Sequence, residues 1–138
     1  MEPKVIRGNS HSDERGTLFY NNDFDTSAIK RVYVIENKST NFIRAWQGHK
    51  IEQRWLITMH GSFEIKLIAI DNWEKPSVNL QMQVFTQTAN QMHVLHIPKG
   101  FVSSIQAIEE GSKLLVMSDY FLGEIDDEYR YDQDYFKQ

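Results

Sequence analysis

Short segments of strand character follow one another between turn signals from Thr17 to Ser118, and this rhythm constrains the fold more than any other feature of the chain. They run Thr17 to Tyr20, Lys30 to Glu36, Ile43 to His49, Arg54 to Met59, Ser62 to Ile70, Val78 to Phe85, Met92 to Ile97, Val102 to Ile108 and Lys113 to Ser118. Short strands at such spacing predict a sandwich or barrel. Parallel pairing needs crossover connections of about a dozen residues or more, which the chain lacks, so antiparallel neighbours are expected. Phe63, Ile65, Leu67 and Ala69 alternate with Ser62, Glu64 and Lys66, and Leu80, Met82 and Val84 alternate with Asn79, Gln81 and Gln83. A period of two gives each strand one apolar and one wet face. His60-Gly61 reads as a tight hairpin, with further turns at Asp71-Asn72, Pro98-Lys99-Gly100 and Glu109-Glu110-Gly111.

The β bias extends to composition, where Ile and Val number 21 against 5 Ala and 8 Leu. β-Branched residues suit a pleated surface better than a helix, so an all-helical bundle is excluded. A length of 138 residues predicts one domain, residues 1–138. Cysteine is absent, which removes disulfides, thiolate nucleophiles and cysteine-ligated metal sites. A net charge of -4 without a Lys/Arg run gives no footprint for a nucleic-acid backbone. Neither a signal peptide nor a membrane span is expected from the sequence, so a cytoplasmic protein is the default. The last twenty residues turn acidic and aromatic, with four Tyr and two Phe, and are expected to wrap back onto the body through buried rings.

Functional side chains are densest in RAWQGHKIEQRW, Arg44 to Trp55. Gln47 and His49, two apart on a strand, share a face and so line one pocket. Arg44, Gln47, His49, Lys50, Gln53 and Arg54 crowd together without apolar alternation to explain them. Strict alternation would place Arg44 and Gln47 on opposite faces, which makes this strand irregular or sends the two groups to different parts of the site. His93 and His96, three apart, face opposite sides of a strand and form no pair; His60 is a turn residue, and His11 lies in a polar N-terminal loop.

The segment resembles the first metal box of the cupin superfamily, with Gln47, His49, Gln53 and Gly61 on the positions of its two histidines, glutamate and closing glycine. The second box falls on Pro98, Gly100, Ser103 and Ala107. Three of the four ligands are replaced, so the resemblance implies a cupin jelly roll, a double-stranded β-helix of antiparallel strands, that holds no metal and needs no cofactor. Within metal-free cupins the chain is similar to the dTDP-4-keto-6-deoxyglucose 3,4-ketoisomerases and, more distantly, to the dTDP-4-dehydrorhamnose 3,5-epimerases. Arg15-Gly16-Thr17-Leu18 looks like their RGxL, Lys30-Arg31-Val32-Tyr33 like KRVY, RAWQGHK like RGFHAHK, and Ser118-Asp119-Tyr120 with Tyr131-Asp132 and Phe136 like the ASDYY and YDEF ending.

The resemblance implies roles for particular residues. His49 and Tyr33 are the candidate catalytic residues, an imidazole suiting proton transfer near neutral pH. Arg31, Arg44, Gln47, Lys50 and Gln53 are the candidate substrate-binding residues around the nucleotide diphosphate and sugar. The partner implied is a dTDP-sugar or related nucleotide sugar, in a homodimer. Gln47 replaces the family's first histidine, and an amide is no general base, so a two-histidine relay is excluded and a single base, His49, is left to move the proton through an enediol. The alternatives are a non-catalytic cupin that binds a nucleotide sugar or a partner enzyme, and a 3,5-epimerase, the latter disfavoured by Gln47.

Overall fold

The alternation at Phe63, Ile65 and Leu67 becomes the centre of the core in a computed structural model that describes residues 1–137. Every regular element among the described residues is a strand: β1 (Lys4–Ile6), β2 (Asn9–Asp13), β3 (Gly16–Tyr20), β4 (Arg31–Ile35), β5 (Ile43–His49), β6 (Arg54–His60), β7 (Ser62–Ala69), β8 (Met82–Thr88), β9 (Val94–Ile97), β10 (Phe101–Ala107), β11 (Lys113–Ser118) and β12 (Tyr129–Arg130). Two five-stranded sheets, ordered β1-β9-β6-β11-β4 and β12-β5-β10-β7-β8, face each other, and β2 and β3 form a separate hairpin. All ladders are antiparallel. The architecture is the expected cupin jelly roll.

Phe63, Ile65 and Leu67 are fully buried and pack with Leu56, Leu95, Leu114 and Val116 between the sheets. Each contributes about 1.5 to 3 kcal/mol by leaving water. The turns fall where expected, but the His60-Gly61 turn is no hairpin: β6 and β7 belong to different sheets, and Gly61, at φ +72°, makes the corner between them. The β9–β10 and β10–β11 turns also cross between sheets, which is how a jelly roll makes strands distant in sequence into neighbours.

Two sequence expectations need correction. The strand expected at Val78 to Phe85 runs from Met82 to Thr88 with its parity reversed, because pairing of Ile65 with Phe85 and Phe63 with Gln87 puts those side chains on the core face, while Val84 sits beside Lys66 and is exposed. Cross-strand partners share a face, so the neighbour's register overrode the strand's own pattern. His11 lies on β2 rather than in a loop, paired opposite Leu18. The N-terminal strands β1 and β2 escaped the sequence reading, since neither shows alternation.

The C-terminal segment wraps back as expected. Its rings Tyr131, Tyr135 and Phe136 gather on Trp46, Ile68 and Val102 against the outer face of the second sheet. Trp46 and Tyr131 exchange two backbone hydrogen bonds of 3.1 and 3.0 Å, and the Tyr131 and Tyr135 hydroxyls donate to the Trp73 and Pro76 carbonyls at 2.5 and 2.6 Å. No helix among the described residues is long and apolar enough to cross a membrane.

Candidate active site

A cavity of about 660 Å³ opens at one end of the sandwich, walled by β4, β5, β6 and β10 and by the segment 121–130 of the tail. Its position depends on an irregularity in β5. Ser103 pairs with Gln47, but Ile105 pairs with Arg44, so β5 carries one residue more than its partner between these points. Such a bulge resets the side-chain parity, and Arg44, Gln47 and His49 all line the cavity. Strict alternation could not bring Arg44 and Gln47 together. Between Gln47 and His49, Gly48 is required, since a Cβ there would lie 2.4 Å from the Phe101 carbonyl oxygen.

His49 is the most constrained of these side chains. Its Nδ1 lies 3.0 Å from the Asp127 backbone oxygen and 3.1 Å from Glu52 Oε2. Both neighbours only accept, so Nδ1 carries the proton and the neutral ring presents Nε2 as a lone pair. Nε2 is buried and has no hydrogen-bond partner among the described residues. Burial, and then the Arg54 guanidinium, hold the His49 pKa below the ordinary histidine value, against the opposing pull of Glu52. Glu52 is itself buried, which alone would raise its carboxyl. Hydrogen bonds from Ser118 and Arg54 and the charge of Arg54 outweigh that effect and keep it below the usual carboxylate range.

Asp127 anchors the tail beneath this histidine. Its carboxylate accepts the backbone N–H groups of Lys50, Ile51 and Glu52 at 2.9, 2.9 and 2.8 Å. The same residue therefore fixes the turn after β5 and, through its carbonyl, orients the His49 ring.

Tyr33 lines the cavity and also packs on the core cluster. Its hydroxyl accepts from Arg54 at 2.5 Å, and the Arg31 guanidinium lies 4.5 Å from its ring centre. Arg44 donates to Asn37 Oδ1 at 3.3 Å. Neither Arg31 nor Arg44 has a carboxylate within ion-pair distance among the described residues, which distinguishes them from Arg54, paired with Glu52 at 3.0 Å, and Arg130, paired with Glu128 at 2.9 Å.

Lys50 and Gln53 depart from expectation, for they line a separate depression of about 490 Å³ on the other side of Pro98. Gln53 is structurally engaged, its backbone N–H and side-chain amide donating to Asp119 at 2.8 and 3.3 Å while Oε1 meets His96 Nε2 at 2.8 Å. His96 in turn stacks on Trp55 at 4.9 Å, and His93 accepts the Gly8 N–H at 2.9 Å, so these two histidines serve different places. The carboxylate beside His49 is Glu52, one residue before Gln53. An acid three residues after the histidine was the available signal; Asp127, Glu128 and Arg130 carried none, being about 80 residues away in sequence.

These donors do not suit a cupin metal. Gln53 is occupied by Asp119 and His96, Glu52 by Arg54 and Ser118, and no group of three or more His, Asp or Glu side chains converges among the described residues. A single imidazole with neutral amides is a poor site for Zn, Fe or Mn. A chelator should therefore leave the melting temperature unchanged, and elemental analysis should find well under one such metal per chain; one equivalent would overturn the assignment.

A jelly roll with one oriented imidazole and two arginines that meet no carboxylate among the described residues in its mouth defines a candidate small-molecule site. The whole chain, residues 1–138, matches the family described as FdtA, WxcM-like, C-terminal, and belongs to it. Among solved structures it is similar to a 3,4-ketoisomerase from Helicobacter canadensis, at 26% identity over 90% of this chain and 87% of the other, with a TM-score of 0.69. The WlaRB TDP-quinovose 3,4-ketoisomerase of Campylobacter jejuni matches at 25% identity over 96% and 95%, TM-score 0.69. A histidine-to-asparagine variant of the 3,4-ketoisomerase QdtA from Thermoanaerobacterium thermosaccharolyticum, in complex with TDP-4-keto-6-deoxyglucose, shares the fold at 23% identity over 96% and 90%, TM-score 0.73. A search of the curated proteins finds no match. The family and these neighbours support an enzyme.

Proposed function

We propose that the protein is a nucleotide-sugar 3,4-ketoisomerase, acting on a dTDP-4-keto-6-deoxyhexose with His49 as the base. The observation that carries this reading is the buried Nε2 of His49, without a hydrogen-bond partner among the described residues, on a ring whose other nitrogen is fixed by Glu52 and the Asp127 carbonyl. Moving a ketone from C4 to C3 requires a proton to leave C3 and arrive at C4 on an enediol, and one base on one face serves both steps. Its depressed pKa keeps His49 neutral and ready to accept a proton at neutral pH. Tyr33, hydrogen-bonded to Arg54, presents a hydroxyl to the sugar. Arg31 and Arg44 supply unpaired guanidinium groups for the diphosphate. Gln47 in place of a histidine argues against 3,5-epimerisation, which would need a base at that position. Incubation with TDP-4-keto-6-deoxyglucose should give its 3-keto isomer; recovery of unchanged substrate would contradict the assignment.

Arg44→Ala should weaken TDP binding by about 1.5 to 3 kcal/mol, the loss of a charge-assisted hydrogen bond, as read by titration calorimetry. Unchanged affinity would move the diphosphate elsewhere.

A cytoplasmic homodimer completes the reading. The edge strand β4 exposes Val32 and Val34, and the β2–β3 hairpin exposes Leu18 and Phe19; unpaired edges and apolar side chains of this kind favour a second copy. Light scattering should give twice the 16.3 kDa chain mass, and the monomer mass at micromolar concentration would exclude it.

A further inference from the structure

We propose that Asn37 is a positioning residue for anion binding in this cavity, its neutral amide holding the Arg44 guanidinium in place without cancelling its charge. The proposal rests on the assignment of Arg44 to the diphosphate. Asn37 lies two residues beyond β4, in the connection to β5, and is 7% exposed. Its side chain reaches from the end of one sheet to the other: Nδ2 donates to the Ile105 carbonyl of β10 at 3.1 Å, and Oδ1 accepts from Arg44 Nε at 3.3 Å. A guanidinium only donates and a carbonyl only accepts, so these two partners leave the amide one orientation. Ile105 is also the β10 residue that pairs with Arg44 beyond the bulge. One buried side chain therefore joins the backbone that places Arg44 to the charged head that Arg44 presents.

Arg44 has need of such a partner. It is exposed and lines the cavity, and among the described residues Asn37 is the one hydrogen-bond partner of its guanidinium, with the centre of the Phe42 ring 5.8 Å away. An arginine that becomes ordered only when its ligand arrives weakens binding by about three- to tenfold. A carboxylate would order the side chain too, but it would also neutralise it, as Glu52 does for Arg54 at 3.0 Å and Glu128 for Arg130 at 2.9 Å. Arg31 repeats the neutral arrangement, lying 4.5 Å from the centre of the Tyr33 ring. The four arginines that line the cavity thus divide into two held by carboxylates and two held by uncharged groups. The second pair keeps its charge for an anionic ligand.

Satisfying the Ile105 carbonyl is the competing role, since a buried acceptor needs a donor whatever lies nearby. That role would make Asn37 a residue of the fold alone, indifferent to Arg44.

Calorimetric titration of TDP into the parent, Asn37→Leu, Arg44→Ala and the double variant separates the two roles. Leucine keeps the approximate size and removes both amide hydrogen bonds, so Asn37→Leu should lower TDP affinity by about three- to tenfold and the melting temperature by a few degrees. In the Arg44→Ala background the same substitution should change affinity by less than about twofold, because no guanidinium remains to be positioned. Equal losses in both backgrounds, or no loss in the parent background, would overturn the proposal. Asn37→Asp keeps the shape and the acceptor for Arg44 and adds a negative charge, and it serves even if the leucine variant does not fold. It should weaken TDP binding by about tenfold or more; affinity equal to that of the parent would overturn the claim that a neutral partner is what the site requires. A parent that does not bind TDP, or binds it equally well as Arg44→Ala, would overturn the diphosphate assignment and the proposal with it. A parent that binds TDP but converts no keto sugar would overturn the ketoisomerase reading alone.

Discussion

His49→Asn is expected to lower turnover by about 10² to 10⁴, the range that general acid-base catalysis supplies, while affinity for TDP stays within a few fold. Asparagine preserves the polar character of the position and lacks a basic nitrogen. The diphosphate contacts assigned to Arg31 and Arg44 lie on other residues, so binding survives the change. The pH dependence carries a sign. Burial of the ring, followed by Arg54, depresses the His49 pKa, so kcat/KM should stay level through the ordinary histidine range and fall only as pH drops below it. The same depression means that the unfolded chain takes up this proton first, so the stability contributed by neutral His49 is present above the unfolded pKa and lost as pH falls towards the folded one. A parallel loss of affinity and rate in His49→Asn would reduce His49 to a sugar-binding residue.

Glu52→Ala should cost about 3 to 5 kcal/mol of folding stability, because it leaves the Arg54 guanidinium buried without its partner. Arg54 and Glu52 side chains are 16% and 9% exposed, so solvent offers little compensation, and Ser118 loses its acceptor as well. A chain of this size should melt on the order of 10 °C lower. The milder Glu52→Gln separates electrostatics from packing. Glu52 raises the His49 pKa, so removing its charge should move the acid limb of the kcat/KM profile to still lower pH. A limb that moves upward or stays in place would show that Glu52 does not act on His49 through charge.

Local pattern carried the sandwich and failed where distant pairing decided the outcome. Phe63, Ile65 and Leu67 announced β7 because their alternation matches a one-faced strand, and the Gly61, Gly100 and Gly111 turns were legible from local residue type alone. The parity of β8 was not, because pairing to β7 turned Gln87 inward and Val84 outward. β12 has two residues and exists only through its ladder with β5. In the site, His49, Tyr33, Arg31, Arg44 and Gln47 are brought to one cavity as the motifs implied, while Lys50 and Gln53 are turned away by the loop that Asp127 binds. Glu52 was masked by the metal-box register, which sets Gln53 on the glutamate position. Asp127, Glu128 and Arg130 reach the site only because aromatic packing returns the tail to β5, an event that no local pattern encodes.

NMR of the products formed from TDP-4-keto-6-deoxyglucose in D₂O tests the central claim most directly. A ketoisomerase working through His49 should yield the 3-keto isomer, with deuterium appearing at C3 of recovered substrate or C4 of product, and both signals should vanish with His49→Asn. Tight binding of the nucleotide sugar with deuterium at neither carbon and no isomer formed would contradict catalysis and leave a binding protein in its place.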